Sequence, residues 1–181
     1  MGRVVTEGEL VEAVAHDRAA SRTVAFANGC FDLLHVGHVR YLHGAAAEAD
    51  RLIVAVNDDE SVAALKGPNR PVLTAGDRAE LVAGLRGVDY VIVFGDRTVE
   101  RLLRLLRPDV HCKGTDYTVE SVPERAVVQS YGGRTAIVGD AKSHATRELI
   151  ARIANGRTPP PEAERPAPAM GGTDSDRDVQ P

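Results

Sequence analysis

Five short apolar runs, each separated from the next by a segment of helical spacing, restrict this chain more than any other feature. They are Thr23 to Asn28, Arg51 to Asn57, Tyr90 to Phe94, Asp109 to Cys112 and Thr135 to Val138. Runs of this length and apolarity suit strands covered on both faces. Between them, helical spacing extends from about Gly37 to Ala49, Asp59 to Leu65, Thr74 to Leu85, Thr98 to Leu106 and Ser121 to Tyr131, and a last helix from Arg147 to Ile153. Thr74 followed by Asp77 supplies a helix start, and Gly132-Gly133 a stop. Strand–helix–strand units of this size close by right-handed parallel crossovers. The pattern therefore predicts an α/β fold, a doubly wound five-stranded parallel sheet in a single domain over residues 22–154.

The flanks read differently. In residues 1–21, Thr6 followed by Glu9 is a capping-box pattern ahead of Leu10, Val11, Val14 and Ala15, which predicts a packing helix. Residues 155–181 hold six of the ten prolines and no leucine, isoleucine or phenylalanine, so a disordered tail is expected. A formal net charge of −4 offers no general basic surface, which argues against a nucleic-acid partner and requires local cations for any anionic ligand. No apolar run is long enough to span a membrane. Cys30 and Cys112 form no CxxC pair, and the N-terminus carries no secretory pattern, so a reduced, cytoplasmic setting is expected.

The stretch TVAFANGCFDLLHVGHVRYL, from Thr23 to Leu42, concentrates the chemistry. A strand stops at Asn28-Gly29 and a helix opens after His35, which places His35 and His38 at a helix N-terminus, where backbone N–H groups and the helix dipole favour anions. Arginine is otherwise the default cation: only Lys66, Lys113 and Lys142 are lysine. Each falls in a loop following a strand, and in a parallel sheet those loops share one rim. His35, His38, Asn57, Lys66, Lys113 and Lys142 thus converge on a site suited to polyphosphate, where fixed donors and mobile cations stabilise developing charge. Neither a GxxxxGK[ST] loop nor GxGxxG is present to explain such a rim otherwise. Phosphoryl or nucleotidyl transfer is the expected class.

The run Gly29-Cys30-Phe31-Asp32-Leu33-Leu34-His35-Val36-Gly37-His38 resembles the signature of the HxGH, cytidylyltransferase-like nucleotidyltransferases, a Rossmann-like family. Over residues 22–153 the resemblance is greatest to the adenylyltransferase domain acting on D-glycero-β-D-manno-heptose 1-phosphate, often fused to a sugar kinase. The matching segments include Arg51 to Asp58, Lys66-Gly67, Arg70-Pro71, Arg78, Val88 to Val91, and Pro108-Asp109 through Lys113-Gly114-Thr115-Asp116-Tyr117. The resemblance implies transfer of AMP from ATP, with Mg²⁺, to a sugar 1-phosphate, releasing pyrophosphate. A separate sugar kinase would supply the acceptor, and a homodimer is compatible with the family. It implies that His35 and His38 donate to the α- and β-phosphates and that Lys66 and Lys113 hold the reacting phosphates. Gly29, Cys30, Phe31, Asp32, Gly37, Asn57, Asp58, Lys142, Ser143 and Thr146 would contact the nucleotide, and Arg78, Arg70 and Asp116 the substrate phosphate. No protein metal site is implied. Asp32 reads equally well as a buried, loop-organising carboxylate.

The sequence departs from the family at the last helix, where a Ser-Thr-Thr or Ser-Thr-Ser run is replaced by Ala145-Thr146-Arg147. That leaves fewer hydroxyls for phosphate and motivates a second class of reading, a nucleotide-binding regulatory module without turnover. The arginine-threonine pair usual before this triplet in the cytidylyltransferase branch is replaced by Gly139-Asp140-Ala141, which favours ATP over CTP. A cytidylyltransferase for glycerol 3-phosphate or an aminoalcohol phosphate is the rival within the class.

Overall fold

The computed structural model describes residues 1–140 together with Ile150, Ile153, Asn155 and Gly156. Strands β1 (Arg3–Val4), β2 (Val24–Gly29), β3 (Arg51–Asn57), β4 (Tyr90–Phe94), β5 (Val110–Lys113) and β6 (Arg134–Ile137) form one parallel sheet in the order β1-β4-β3-β2-β5-β6. The helices are α1 (Glu7–Ala19), α2 (Val36–Ala46), α3 (Asp59–Lys66), α4 (Ala75–Ala83), α5 (Glu100–Leu106) and α6 (Arg125–Ser130).

Five strands fall where the apolar runs predict them. The sixth, β1, corrects the expected count: its two residues pair Arg3 with Tyr90 and Val4 with Val91, too short a segment to carry a period-two signal. The N-terminal helix is thus preceded by an edge strand of the same sheet. The expected helix from Ser121 to Tyr131 is also divided, into a 3₁₀ turn (Val119–Ser121) and α6. The last helix and nearly all of the expected tail lie outside the described residues.

Strand alternation builds a core on each face. Ala25, Ala27, Leu52, Val54 and Val56 meet Leu42 and Ala45 of α2 and Ala79, Val82 and Ala83 of α4. Val24, Phe26, Ile53 and Ala55 meet Leu10 and Val14 of α1, Leu102, Leu103 and Leu106 of α5, and Val127 and Val128 of α6. Helix starts are chemically specified. Thr6 and Glu9 form the reciprocal box at α1, with Thr6 N–H donating to Glu9 Oε2 at 2.7 Å and Glu9 N–H to Thr6 Oγ1 at 3.3 Å. Thr74 Oγ1 accepts from Asp77 N–H at 3.2 Å to open α4.

The chain leaves β2 to build β3 and β4 on one side and returns to build β5 and β6 on the other. The crevice between the carboxyl ends of β2 and β5 is therefore the topological switch point, where open α/β sheets bind ligands.

Candidate active site

The loop from Cys30 to Leu34 carries the chain from β2 into α2, and it is strained. Phe31 and Leu33 have φ of 47° and 55°, a left-handed conformation that non-glycine residues enter only when their surroundings enforce it. Two buried charged groups provide that enforcement. Arg78 of α4, with no exposed surface, donates to the Cys30 carbonyl at 2.5 Å, to the Leu73 carbonyl at 3.0 Å and to Asp59 Oδ1 at 2.7 Å. Asp32, likewise without exposed surface, accepts from Arg70 Nε at 2.5 Å and from the backbone N–H of Val72 at 2.9 Å. Burial alone would raise the Asp32 carboxyl, but these donors, with Leu73 N–H, hold it below the ordinary carboxylate range.

These contacts bear on two expectations. The Arg78 guanidinium is committed to protein oxygens, so its geometry supports holding the loop rather than gripping phosphate. Arg70 is paired with Asp32, which takes the loop-organising of its two open roles. Phe31 is buried in the core, edge-on to His38 with ring centroids 5.4 Å apart and stacked on Tyr41 at 6.4 Å. It forms the floor under the histidine.

His35 is the N-cap of α2, Gly37 its second residue and His38 its third, as the sequence predicts. The two imidazoles stack, with centroids 3.9 Å apart and planes 26° from parallel. The His35 backbone N–H points at His38 Nδ1 at 3.4 Å, which assigns the proton of a neutral His38 to Nε2. Burial, then the like charges of His35 and Lys66, push the His38 pKa down to about 3. At neutral pH His38 is therefore an uncharged N–H donor.

The carboxyl end of β3 supplies caps. Asp58 Oδ1 accepts from Ser61 N–H at 2.8 Å, opening α3, whose last residue is the exposed Lys66. Asn57 is buried and donates to Ser61 Oγ at 3.3 Å, with Cys30 Sγ 3.9 Å from its Oδ1. At the end of β5 the buried Lys113 ammonium reaches Asn28 Oδ1 at 3.1 Å and both Glu124 oxygens at 3.3 and 3.4 Å. Asp116 lies exposed in the loop beyond, where Thr115 Oγ1 donates to the Asp140 carbonyl at 2.7 Å. Lys142, Ser143 and Thr146 lie outside the described residues.

Asn28, His111, Glu124 and Asp59 take part in this network without having been singled out in the sequence. Asn28 and His111 sit on strands ending at the switch point, a signal that was legible; Glu124 follows an irregular turn and had none. Among the described residues no cluster of three or more His, Cys, Asp or Glu side chains is arranged to hold a metal ion. No described helix is long and apolar enough to cross a membrane. The arrangement is one of donors and cations on a sheet rim, suited to phosphate oxygens.

The comparisons agree with that chemistry. Residues 26–160 match the family model described as Cytidylyltransferase-like. The chain is 45% identical over 152 residues to the Bifunctional protein HldE of Pseudomonas fluorescens (strain SBW25), covering 84% of this chain and 32% of that protein. It is 46% identical over 145 residues to the protein of the same name from Azotobacter vinelandii, covering 80% of this chain and 31% of that one. The chain thus spans about a third of the length of the curated relatives it matches. A crystal structure of the lipopolysaccharide core biosynthesis protein from Thermoplasma volcanium GSS1 superposes with a TM-score of 0.57 at 23% identity, over 67% of this chain and 99% of that one, a likeness of fold. With the signature on a strand–loop–helix at the switch point and a family match over most of its length, the chain belongs to the cytidylyltransferase-like family of nucleotidyltransferases.

Proposed function

We propose that this chain is an adenylyltransferase that moves AMP from ATP to a sugar 1-phosphate, with D-glycero-β-D-manno-heptose 1-phosphate as the acceptor. The observation that carries the reading is the stacked His35–His38 pair at the N-terminus of α2, above the switch point. The choice of acceptor rests on the 45% identity to HldE proteins, and the choice of ATP on the Gly139-Asp140-Ala141 stretch.

A phosphate oxygen of the acceptor attacks the α-phosphorus in line. A new P–O bond forms, the α–β bridging P–O bond breaks, and its electron pair leaves on pyrophosphate. The nucleophile is already an anion, so the chain need only orient the reactants and stabilise charge on the phosphoryl oxygens. His38, neutral and protonated on Nε2, donates from that N–H to those oxygens. His35 lies against it as the second donor, while Lys66 and Lys113 contribute cationic charge from the two sides of β2. Asp32 and Arg78 keep the strained loop in shape. Mg²⁺ belongs to this reading as the companion of the triphosphate. The described side chains do not form a cage for it, and no step is derived through it.

The sugar 1-phosphate would come from a sugar kinase reaction. Pyrophosphate release measured for ATP and CTP against the heptose 1-phosphate, glycerol 3-phosphate and an aminoalcohol phosphate tests the proposal. Turnover is expected with ATP and the heptose. Preference for CTP and glycerol 3-phosphate would replace the substrates, and nucleotide binding without pyrophosphate from any pair would replace the enzyme with a regulatory module. His38→Ala is expected to lower kcat on the order of a hundredfold, the cost of one transition-state donor.

A further inference from the structure

Lys113 is at the switch point but is not free there. Lys113 and Glu124 are each only 8% exposed, so both charges have left most of their water. Glu124 belongs to the turn before α6, yet both its oxygens approach Lys113 Nζ, at 3.3 and 3.4 Å. Asn28, one register step beyond the Ala27–Cys112 pair, accepts from the same ammonium at 3.1 Å across the β2–β5 crevice.

The orientation of that amide is fixed by its neighbours. Asn28 Oδ1 also lies 3.2 Å from Nε2 of His111, which has no exposed surface. Turning the amide over would set its NH₂ against an ammonium, donor to donor. The oxygen therefore faces Lys113, and His111 must carry its proton on Nε2 to share it. Burial, then the Lys113 charge, push His111 down to about 3, in keeping with a neutral imidazole.

A buried ion pair is a poor way to stabilise a fold, because the desolvation of two charges offsets their attraction and a hydrophobic pair does as well. Its Nζ–O distances also exceed the about 2.7–2.9 Å of a tight charge-assisted bond. Placement explains what stability does not: the pair stands where a phosphate would arrive. We infer that Glu124 is a positioning residue for nucleotidyl transfer, holding the Lys113 ammonium with Asn28 at the β2–β5 crevice and supplying its counter-charge until substrate phosphate takes over that role. The inference rests on the reading of Lys113 as a phosphate-holding lysine.

Among the described residues, the titratable groups around Lys113 are Glu124 from the α6 turn, His111 from β5 and Tyr117 from the following loop, its ring centroid 5.5 Å from Nζ, with Tyr41 of α2 close enough to feel Glu124 and Tyr117. Burial pulls the Lys113 pKa down, and Glu124 opposes it. Removing the Glu124 charge must therefore lower the pH at which Lys113 loses its proton.

The chain contains three lysines, so the full-length protein labelled with ε-¹³C-lysine gives a readable titration, with Lys113 assigned by its loss in Lys113→Met. In Glu124→Gln the Lys113 midpoint is expected to fall by at least about one pH unit, which is a tenfold change in its proton affinity. The alkaline limb of kcat/KM with ATP and the heptose 1-phosphate should move down by the same amount, and Glu124→Asp should restore most of both. If Glu124→Gln does not fold, the shorter Asp arm alone should give a smaller shift in the same direction. Lys113→Met with wild-type turnover would overturn the role of Lys113, and the inference with it. Inactive Lys113→Met, with neither the titration nor the alkaline limb moved in the Glu124 variants, would overturn the inference alone.

Discussion

Arg78 reaches from α4 to the carbonyl oxygen of Cys30, 2.5 Å away, and no part of it meets solvent. An arginine so placed fixes the loop that presents His35 and His38. Arg78→Met fills much of the volume but strands the Cys30 and Leu73 carbonyls. A loss of about 2–4 kcal/mol of stability follows from the broken charge-assisted bonds, together with a raised KM for nucleotide. Thermal unfolding and steady-state kinetics read the two effects. An unchanged melting temperature with lost activity would return Arg78 to direct phosphate contact.

Asp32 secures the other side of the same loop. Asp32→Asn keeps the shape but loses the charge that balances Arg70, and one amide oxygen must replace two carboxylate oxygens. Because the folded carboxyl is held below its unfolded value, its contribution is present above the unfolded carboxylate pKa and is lost as pH falls through the folded one. Wild type should therefore exceed the variant by about 1–3 kcal/mol at neutral pH, the difference shrinking in acid. Urea unfolding at neutral and acidic pH measures this, and a pH-independent difference would contradict it.

The two neutral histidines make separate predictions. His111 is depressed to about 3 from an unfolded value of 6.5, so its neutral form stabilises the fold fully above pH 6.5 and progressively less between there and 3. His111→Gln, which can still donate to Asn28, should flatten the acid limb of the stability curve, a component on the order of a few kcal/mol. Parallel curves for wild type and variant would exclude the buried neutral state.

His38 is read by NMR. In the unligated protein its ring resonances should not titrate from about pH 8 to about pH 5, whereas an ordinary histidine would. Adding ATP brings negative charge to a ring that burial and the His35 and Lys66 charges hold down, so its midpoint should rise. A midpoint near the ordinary value without ATP would mean that the ring enters the reaction as a cation.

The parts of this molecule that the sequence discloses are those set by periodicity and local chemistry. Val24 to Gly29 and Arg51 to Asn57 announce themselves as strands because both faces are buried, and Thr6-Glu9 and Thr74-Asp77 announce helix starts because their partners lie three residues away. Arg3–Val4 is silent because two residues have no period. The same limit governs the site. His35 and His38 were readable from one contiguous run, but Arg78 binds Cys30 from 48 residues away and Asp32 meets Arg70 from 38, and nothing local tells an arginine for phosphate from an arginine for a carbonyl. The packing of Phe31 was hidden for a related reason: its left-handed backbone sets the ring edge-on to His38, which residue type alone does not forecast.

Gly95, just past β4, gives the most local test of how the rim is built. A Cβ there would lie 2.4 Å from Asp58 Oδ2, so the absence of a side chain makes room for the carboxylate that caps α3. Gly95→Ala must push Asp58 aside, weakening its bond to Ser61 N–H, and α3 carries Lys66 at its far end. A stability loss of about 1–2 kcal/mol and a raised KM for nucleotide are expected, the first from the damaged cap. Asp58→Ala should cost about 1 kcal/mol by removing the same cap. If the two effects share one cause, adding Gly95→Ala to Asp58→Ala costs little more, because the clash and the bond it breaks have both gone. Strictly additive losses would mean that Gly95 acts through something other than Asp58, since independent sites add and coupled ones do not.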